Sequence, residues 1–188
     1  MATLDAFLPL IRKHISGPLE MMMTQAARDA AITFCRESLF CRDAVTFDQV
    51  IPEATYRLTE SKQVKSIKWL RVMDVAQWLR AGIDFTAPCA NEIRFHQPLT
   101  RVTVDFVIEP RRGATEVPEV LLADYAEVIA MGALEDLLIM PGKPWTDPPR
   151  SHYFGQRFVE GYRRAFRVAL ENSPIAAFNN PVRQHEFF

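Results

Sequence analysis

Apolar residues recur at helical spacing in four stretches of the chain and alternate with polar ones in the stretch between. Leu4, Phe7, Leu8 and Ile11 predict a short helix over residues 3–15, with Pro9 as a break or kink. Ser16-Gly17-Pro18 is punctuation, and Pro18 suits a first helical position. A stronger helix is predicted over 18–40, its stripe running Leu19, Met22 or Met23, Ala26, Ala30 and Phe34. Ala26, Ala27, Ala30 and Ala31 give it a small-residue face for close approach of another helix.

From Val45 to Ile108 the period shortens to two. Strands are predicted at Thr46–Ile51, Val64–Met73, Asn91–His96 and Arg101–Ile108. Val102, Val104, Phe106 and Ile108 alternate with Thr103 and Asp105 most clearly. Residues 74–82 read as a short helix with an Asp74 cap and a Gly82 stop, and Pro110-Arg-Arg-Gly113 as a closing turn. The helical period returns over 118–140, opened by Pro118 and ended by Pro141-Gly142. This helix is apolar on most of its circumference, as expected of a helix buried on more than one side. After the stiff connector Lys143–Pro149, a helix over 150–171 places Phe154, Phe158, Tyr162, Ala165, Phe166 and Ala169 on one face. Residues 172–188 keep no period but carry Phe178, Phe187 and Phe188, the anchors expected of an arm that docks on another chain.

Helices, then strands, then helices predict an α+β fold: a helical bundle with an inserted small antiparallel β subdomain and an extended C-terminal arm. The expected divisions are 1–44 (N-terminal helices), 45–113 (β subdomain), 114–171 (C-terminal helices) and 172–188 (arm). A length of 188 residues fits one domain with an inserted subdomain. Proline outnumbers glycine, 13 to 7, which argues for rigid connections rather than flexible linkers.

The net charge of −1 conceals a segregation. Residues 113–149 hold one lysine against seven acids, whereas residues 150–188 hold six arginines against three glutamates. Asp124, Glu127 and Glu135 are expected on one line of the acidic helix, with Asp136 beside them, as a solvated or ion-paired stripe. Arg157, Arg163, Arg164 and Arg167 flank the apolar face of the last helix. They read either as a solvated face pairing with the acidic helix or as an electropositive lining for a partner or a DNA backbone. The overall balance argues against a polybasic nucleic-acid or membrane binder. No apolar run reaches the length of a membrane span, and residues 1–15 lack the pattern of a signal peptide.

Searches for chemistry return little. The phosphate-loop, dinucleotide, zinc-protease and nucleophile-elbow motifs are absent. His14, His96, His152 and His185 lie in separate segments without metal-ligand spacing, and His96 and His152 read as ordinary polar residues. Cys35, Cys41 and Cys89 have no zinc spacing; they suit a reduced intracellular chain, with Cys35 a small core residue. No catalytic residue, metal or cofactor is expected.

The stretch Ala126–Glu160, with Gly132-Ala-Leu134, Met140-Pro-Gly-Lys-Pro-Trp-Thr-Asp-Pro148 and Phe158-x-x-Gly161, resembles the C-terminal half of tailed-bacteriophage head-to-tail adaptor (neck connector) proteins. Phe7-Leu-Pro9 and Ala30-Ala-Ile-Thr-Phe-Cys-Arg36 resemble their N-terminal half. The likeness covers both helical ends, and the β region only weakly. It implies a structural virion protein that forms a ring, usually a dodecamer, beneath the portal protein. Such a ring extends the DNA channel, with nonspecific DNA contact, and offers the platform for a tail or nozzle protein. The implied location is the virion neck, after synthesis in the host cytoplasm. In short-tailed phages the arm typically reaches the portal, which would assign Phe178, Arg183, Phe187 and Phe188 to docking. The competing expectation is a soluble domain binding a small molecule or peptide, or an enzyme using His96, His152 and the carboxylates. It requires these groups to converge in a cleft.

Overall fold

A computed structural model describes residues 1–75 and 77–172. In chain order the elements are β1 (Ala2–Thr3), a 3-10 turn (Leu4–Phe7), α1 (Leu8–Arg12), α2 (Glu20–Ser38), β2 (Arg42–Val50), β3 (Thr55–Arg57), β4 (Val64–Asp74), β5 (Gln77–Trp78), β6 (Phe85–Cys89), β7 (Glu92–Phe95), β8 (Leu99–Pro110), β9 (Glu116–Val117), α3 (Glu119–Ala123), α4 (Ala126–Leu138) and α5 (Pro148–Glu171). The strands form three antiparallel sheets, ordered β1-β9, β2-β8-β4-β5 and β3-β7-β6. The expected helical bundle with a small β insert is therefore incorrect. This is a mixed α/β chain in which strands of 9, 11 and 12 residues build a second structural layer as substantial as the helices.

The sheets contribute an aromatic part of one core continuous with the helices. Pairing in β2, β4 and β8 puts Phe47 opposite Val102, Val72 opposite Val104 and Trp69 opposite Phe106. The same face packs on the smaller sheet, with Phe47 against Tyr56 at 5.0 Å and Trp69 against Phe85 at 5.8 Å between ring centroids. Ile93 and Phe95 complete this aromatic interior, both fully buried. The opposite face carries polar pairs, Thr46 with Thr103 and Arg71 with Asp105.

Two helix expectations fail for identifiable reasons. Strand pairing takes the place of the helix expected over 74–82: Asp74 pairs with both Val102 and Gln77, and the Val75 N–H donates to the Arg101 carbonyl. Long-range pairing with β8 wins over the local Asp cap and Gly stop. The helix expected over 118–140 divides at Asp124–Tyr125. Tyr125 leaves helical geometry (φ −129°, ψ 17°), and its ring packs on Phe34 and Phe40 at 4.8 and 4.9 Å.

The helices pack through small residues. A Cβ on Gly132 would lie 2.9 Å from the Ala30 Cβ and 3.0 Å from the Phe158 ring, so α2, α4 and α5 meet at van der Waals contact there. At the end of α2, Leu39 adopts φ +50° and its N–H caps the Cys35 carbonyl. Asp147 caps α5 by accepting from the Arg150 N–H, and Pro148 and Pro149 occupy the first turn. Polar contacts link helices to sheet: buried Glu109 of β8 accepts from Arg36 of α2 at 2.5 and 2.8 Å, with Lys65 of β4 3.1 Å away, and Arg42 of β2 donates to the Ala169 carbonyl of α5 at 2.6 Å.

Candidate functional site

The acidic residues do not form the expected line; they spread around the α3–α4 segment. Asp124 sits at the C-terminal end of α3, in the break, and is exposed. Glu127, in the first turn of α4, lines a shallow cleft with Lys13 and His14. Glu135 turns towards α5, where its carboxylate lies against Gly155 and its carbonyl accepts from the Ser151 hydroxyl at 2.8 Å. Asp136 turns the other way, towards Asp29 of α2. Lost hydration pushes the Glu135 carboxyl above its ordinary range and adjacent Asp136 adds to this, while His152 opposes it. Lost hydration also raises Asp136, with Asp29 contributing across the gap.

The arginines occupy the outer face of α5. Phe154, Phe158, Ala165 and Ala169 turn inward, leaving Arg157, Arg163, Arg164 and Arg167 exposed. Among the described residues, none of these four guanidinium groups comes within 4.0 Å of a carboxylate. Pairing between α4 and α5 of the same chain, one of the two sequence readings, is not formed there.

A groove that the sequence reading missed runs between α2 and α4. It encloses about 520 Å³ and is lined by Met21, Met22, Gln25, Ala26, Asp29, Asp136 and Met140. The signal was the run Met21-Met-Met23 at the start of α2. Only Met23 is buried, while Met21 is 77% exposed.

The groups required by the enzyme reading do not come together. His96 contacts Glu53 at 3.0 Å beside the β2–β3 turn, His152 contacts Gln156 at 3.0 Å on α5, and Asp136 faces Asp29. Among the described residues no group of three His, Cys, Asp or Glu is arranged to hold a metal ion. Cys35 and Cys41 are buried neighbours; the Cys35 thiol is held well above its ordinary range by its hydrogen bond with Cys41 and by burial, which opposes nucleophilic use.

The Met140–Pro148 segment is a structured joint between α4 and α5. Trp145 packs on Gly17, which has φ +112° and where a Cβ would lie 2.8 Å from the ring. The Thr146 hydroxyl donates to the Met140 carbonyl, and the Asp147 N–H donates to the Leu138 carbonyl. At the end of the sheets farthest from the α2–β2 connection, Ile51, Val75, Trp78 and Ile83 stand exposed around the turns. The proposed docking residues Phe178, Arg183, Phe187 and Phe188 lie outside the described residues. Among the described residues no helix is long and apolar enough to cross a membrane. No family model matches the chain, and no curated protein matches it either.

Proposed function

We propose that this chain is a structural, ring-forming adaptor of the tailed-phage neck, bound beneath the portal and offering a platform to the tail. The observation that carries this reading is the separation of two exposed surfaces. The arginines that meet no carboxylate among the described residues lie along α5 in the helical layer, and the apolar residues Ile51, Val75, Trp78 and Ile83 lie at the far end of the sheets. A subunit that joins two assemblies needs contacts at opposite ends, and large exposed apolar groups commonly mark such contacts. The resemblance of the α4–α5 joint supplies the specific identity. In this reading the helical layer and the arm meet the portal and the neighbouring copies, and the sheet tip meets the tail or nozzle protein. DNA passes through the ring and makes only nonspecific contact.

The test is cosedimentation of the chain with purified portal rings, comparing the full chain with one ending at Asn172. The full chain is expected to sediment with the portal and the shortened one is not. Equal binding by both removes the docking role of Phe178, Arg183, Phe187 and Phe188. No binding by either removes the adaptor reading.

A further inference from the structure

The exposed arginines of α5 and the acid-lined methionine groove lie on different surfaces of one helical layer. The core side of α5 is spent on its own chain, with Phe158 packed on Gly132 and Ala30. Arg157, Arg164 and Arg167 therefore stand exposed on the side of α5 away from its packed face, while Arg163 lines a surface hollow beside Glu135 of α4. One chain cannot close this contact on itself.

We infer that the groove between α2 and α4 of one copy receives the arginine ridge of α5 from a second copy. Charge complementarity identifies the occupant. The groove presents Asp29 and Asp136 across from each other, with no cation paired to either among the described residues. The Asp136 carboxyl is pushed above its ordinary range, first by lost hydration and then by Asp29 across the gap. On the ridge, four arginines outnumber the two acids of the same face, Glu160 and Glu171. The dimensions agree as well. Arg157 to Arg167 spans roughly 15 Å of helix and Met22 to Asp29 roughly 10 Å, at 1.5 Å per residue. The walls suit a protein ligand, because Met21, Met22 and Met140 are unbranched and adapt to the aliphatic stems of arginine.

Because groove and ridge are different surfaces, the contact is heterologous. Repetition by rotation closes a ring, and repetition without closure gives a filament. The inference names the contact a ring of this chain would repeat, and so rests on the ring reading.

Mixing complementary variants tests it. One variant carries Asp29→Lys and Asp136→Lys, the other Arg164→Glu and Arg167→Glu. All four positions are exposed or half-exposed, so each variant should keep the wild-type circular dichroism spectrum. Sedimentation velocity should show the wild-type chain self-associating, less so as salt rises. Each variant alone should associate at least about tenfold more weakly, as expected when interfacial charge pairs are reversed. An equimolar mixture should recover assembly with the two variants alternating, since each reversed groove then meets a reversed ridge.

Either variant assembling alone as the wild type does overturns the inference, and so does a mixture that stays dissociated. A wild-type chain that is monomeric up to its solubility limit also overturns it. A ridge variant that assembles normally but loses retention of double-stranded DNA assigns the ridge to DNA instead. Should a charge-reversed variant fail to fold, the neutral changes Asp136→Asn and Arg167→Gln should each weaken self-association alone, and association as strong as the wild type by both overturns the inference. The adaptor reading fails separately: assemblies that form through this contact but leave the portal bare refute that function and leave the contact standing. Variants that self-associate as fully as the wild type, in solution and on the portal, refute the contact alone and leave the adaptor reading standing.

Discussion

Replacing Gly132 by alanine tests the packing that holds α2, α4 and α5 together. Alanine favours a helix interior over glycine by about 1 kcal/mol, so propensity alone predicts a more stable chain. Packing opposes this. The added methyl would lie 2.9 Å from the Ala30 Cβ and 3.0 Å from two Phe158 ring carbons, against an ordinary carbon–carbon separation of about 3.5–4.0 Å. Neither neighbour can yield easily. Ala30 and Phe158 are buried, and the Phe158 ring is braced edge-on by Tyr162 at 5.4 Å. Overpacking of this kind costs roughly 1–3 kcal/mol. The larger values outweigh the propensity gain, and we expect a net loss of about 1–2 kcal/mol. At about 2–4 °C per kcal/mol for a chain of this size, Tm falls by several degrees in scanning calorimetry. Gly113→Ala is the control, because nothing lies within 4 Å of its added methyl and its φ is unremarkable; it should leave Tm nearly unchanged. Combining Gly132→Ala with Ala30→Gly should recover part of the loss, with a coupling of about 1 kcal/mol. A Gly132→Ala chain as stable as the wild type would refute the close contact.

Three further outcomes follow from single residues. Glu109→Gln should cost about 2 kcal/mol at neutral pH, less than a wholly buried pair because Arg36 and Lys65 are half exposed. Burial raises the Glu109 carboxyl, but hydrogen bonds from Arg36 and Lys65 outweigh it and leave the group below its ordinary range. Its stabilisation is thus present above the ordinary carboxylate pKa and is lost as pH falls through the lower folded value, so urea titrations at pH 7 and in acid should show the gap closing. Asp136 is shifted in the other direction, and its ionised form is a cost above its raised folded value. Asp136→Asn in dilute, unassociated chain should therefore be more stable than the wild type at pH 7, with the advantage shrinking as pH falls to the ordinary aspartate range. A pH-independent difference contradicts this. Val75, a β-branched residue at φ +53° in an exposed turn, carries left-handed strain; Val75→Asn should raise stability by about 1 kcal/mol, and an unchanged urea midpoint would contradict the strain.

What was legible in the sequence was local. α2 and α5 follow from apolar spacing and from alanines, which act within a few residues, whereas Pro18 lies before the Leu19 cap of α2 and Pro148 and Pro149, read as connector, open α5. The break at Asp124–Tyr125 depends on Phe34 and Phe40, which are distant in sequence, so the apolar run there reads as one helix. Residues 74–82 carry helix-like end signals, but the strand partner that overrides them begins at Leu99. β3 and β6 are short, and Pro88 interrupts the pattern of β6, which tolerates it as an edge strand. The scale of the sheets was missed for that reason. Of the candidate sites, the arginines of α5 were visible because they share one helix. The groove was not, because Asp29 and Asp136 come from different helices and the methionines read as core. The acids of the α3–α4 segment were recognised by composition, yet their directions depend on three different neighbours.

The adaptor function is tested most directly by cryo-electron microscopy of the full chain incubated with DNA-filled, tailless phage heads. A ring of copies is expected beneath the portal, coaxial with the DNA channel, each with α5 against the α2–α4 groove of its neighbour and the Trp78 turn facing the tail side. A bare portal vertex, or single copies bound away from the channel axis, would contradict it.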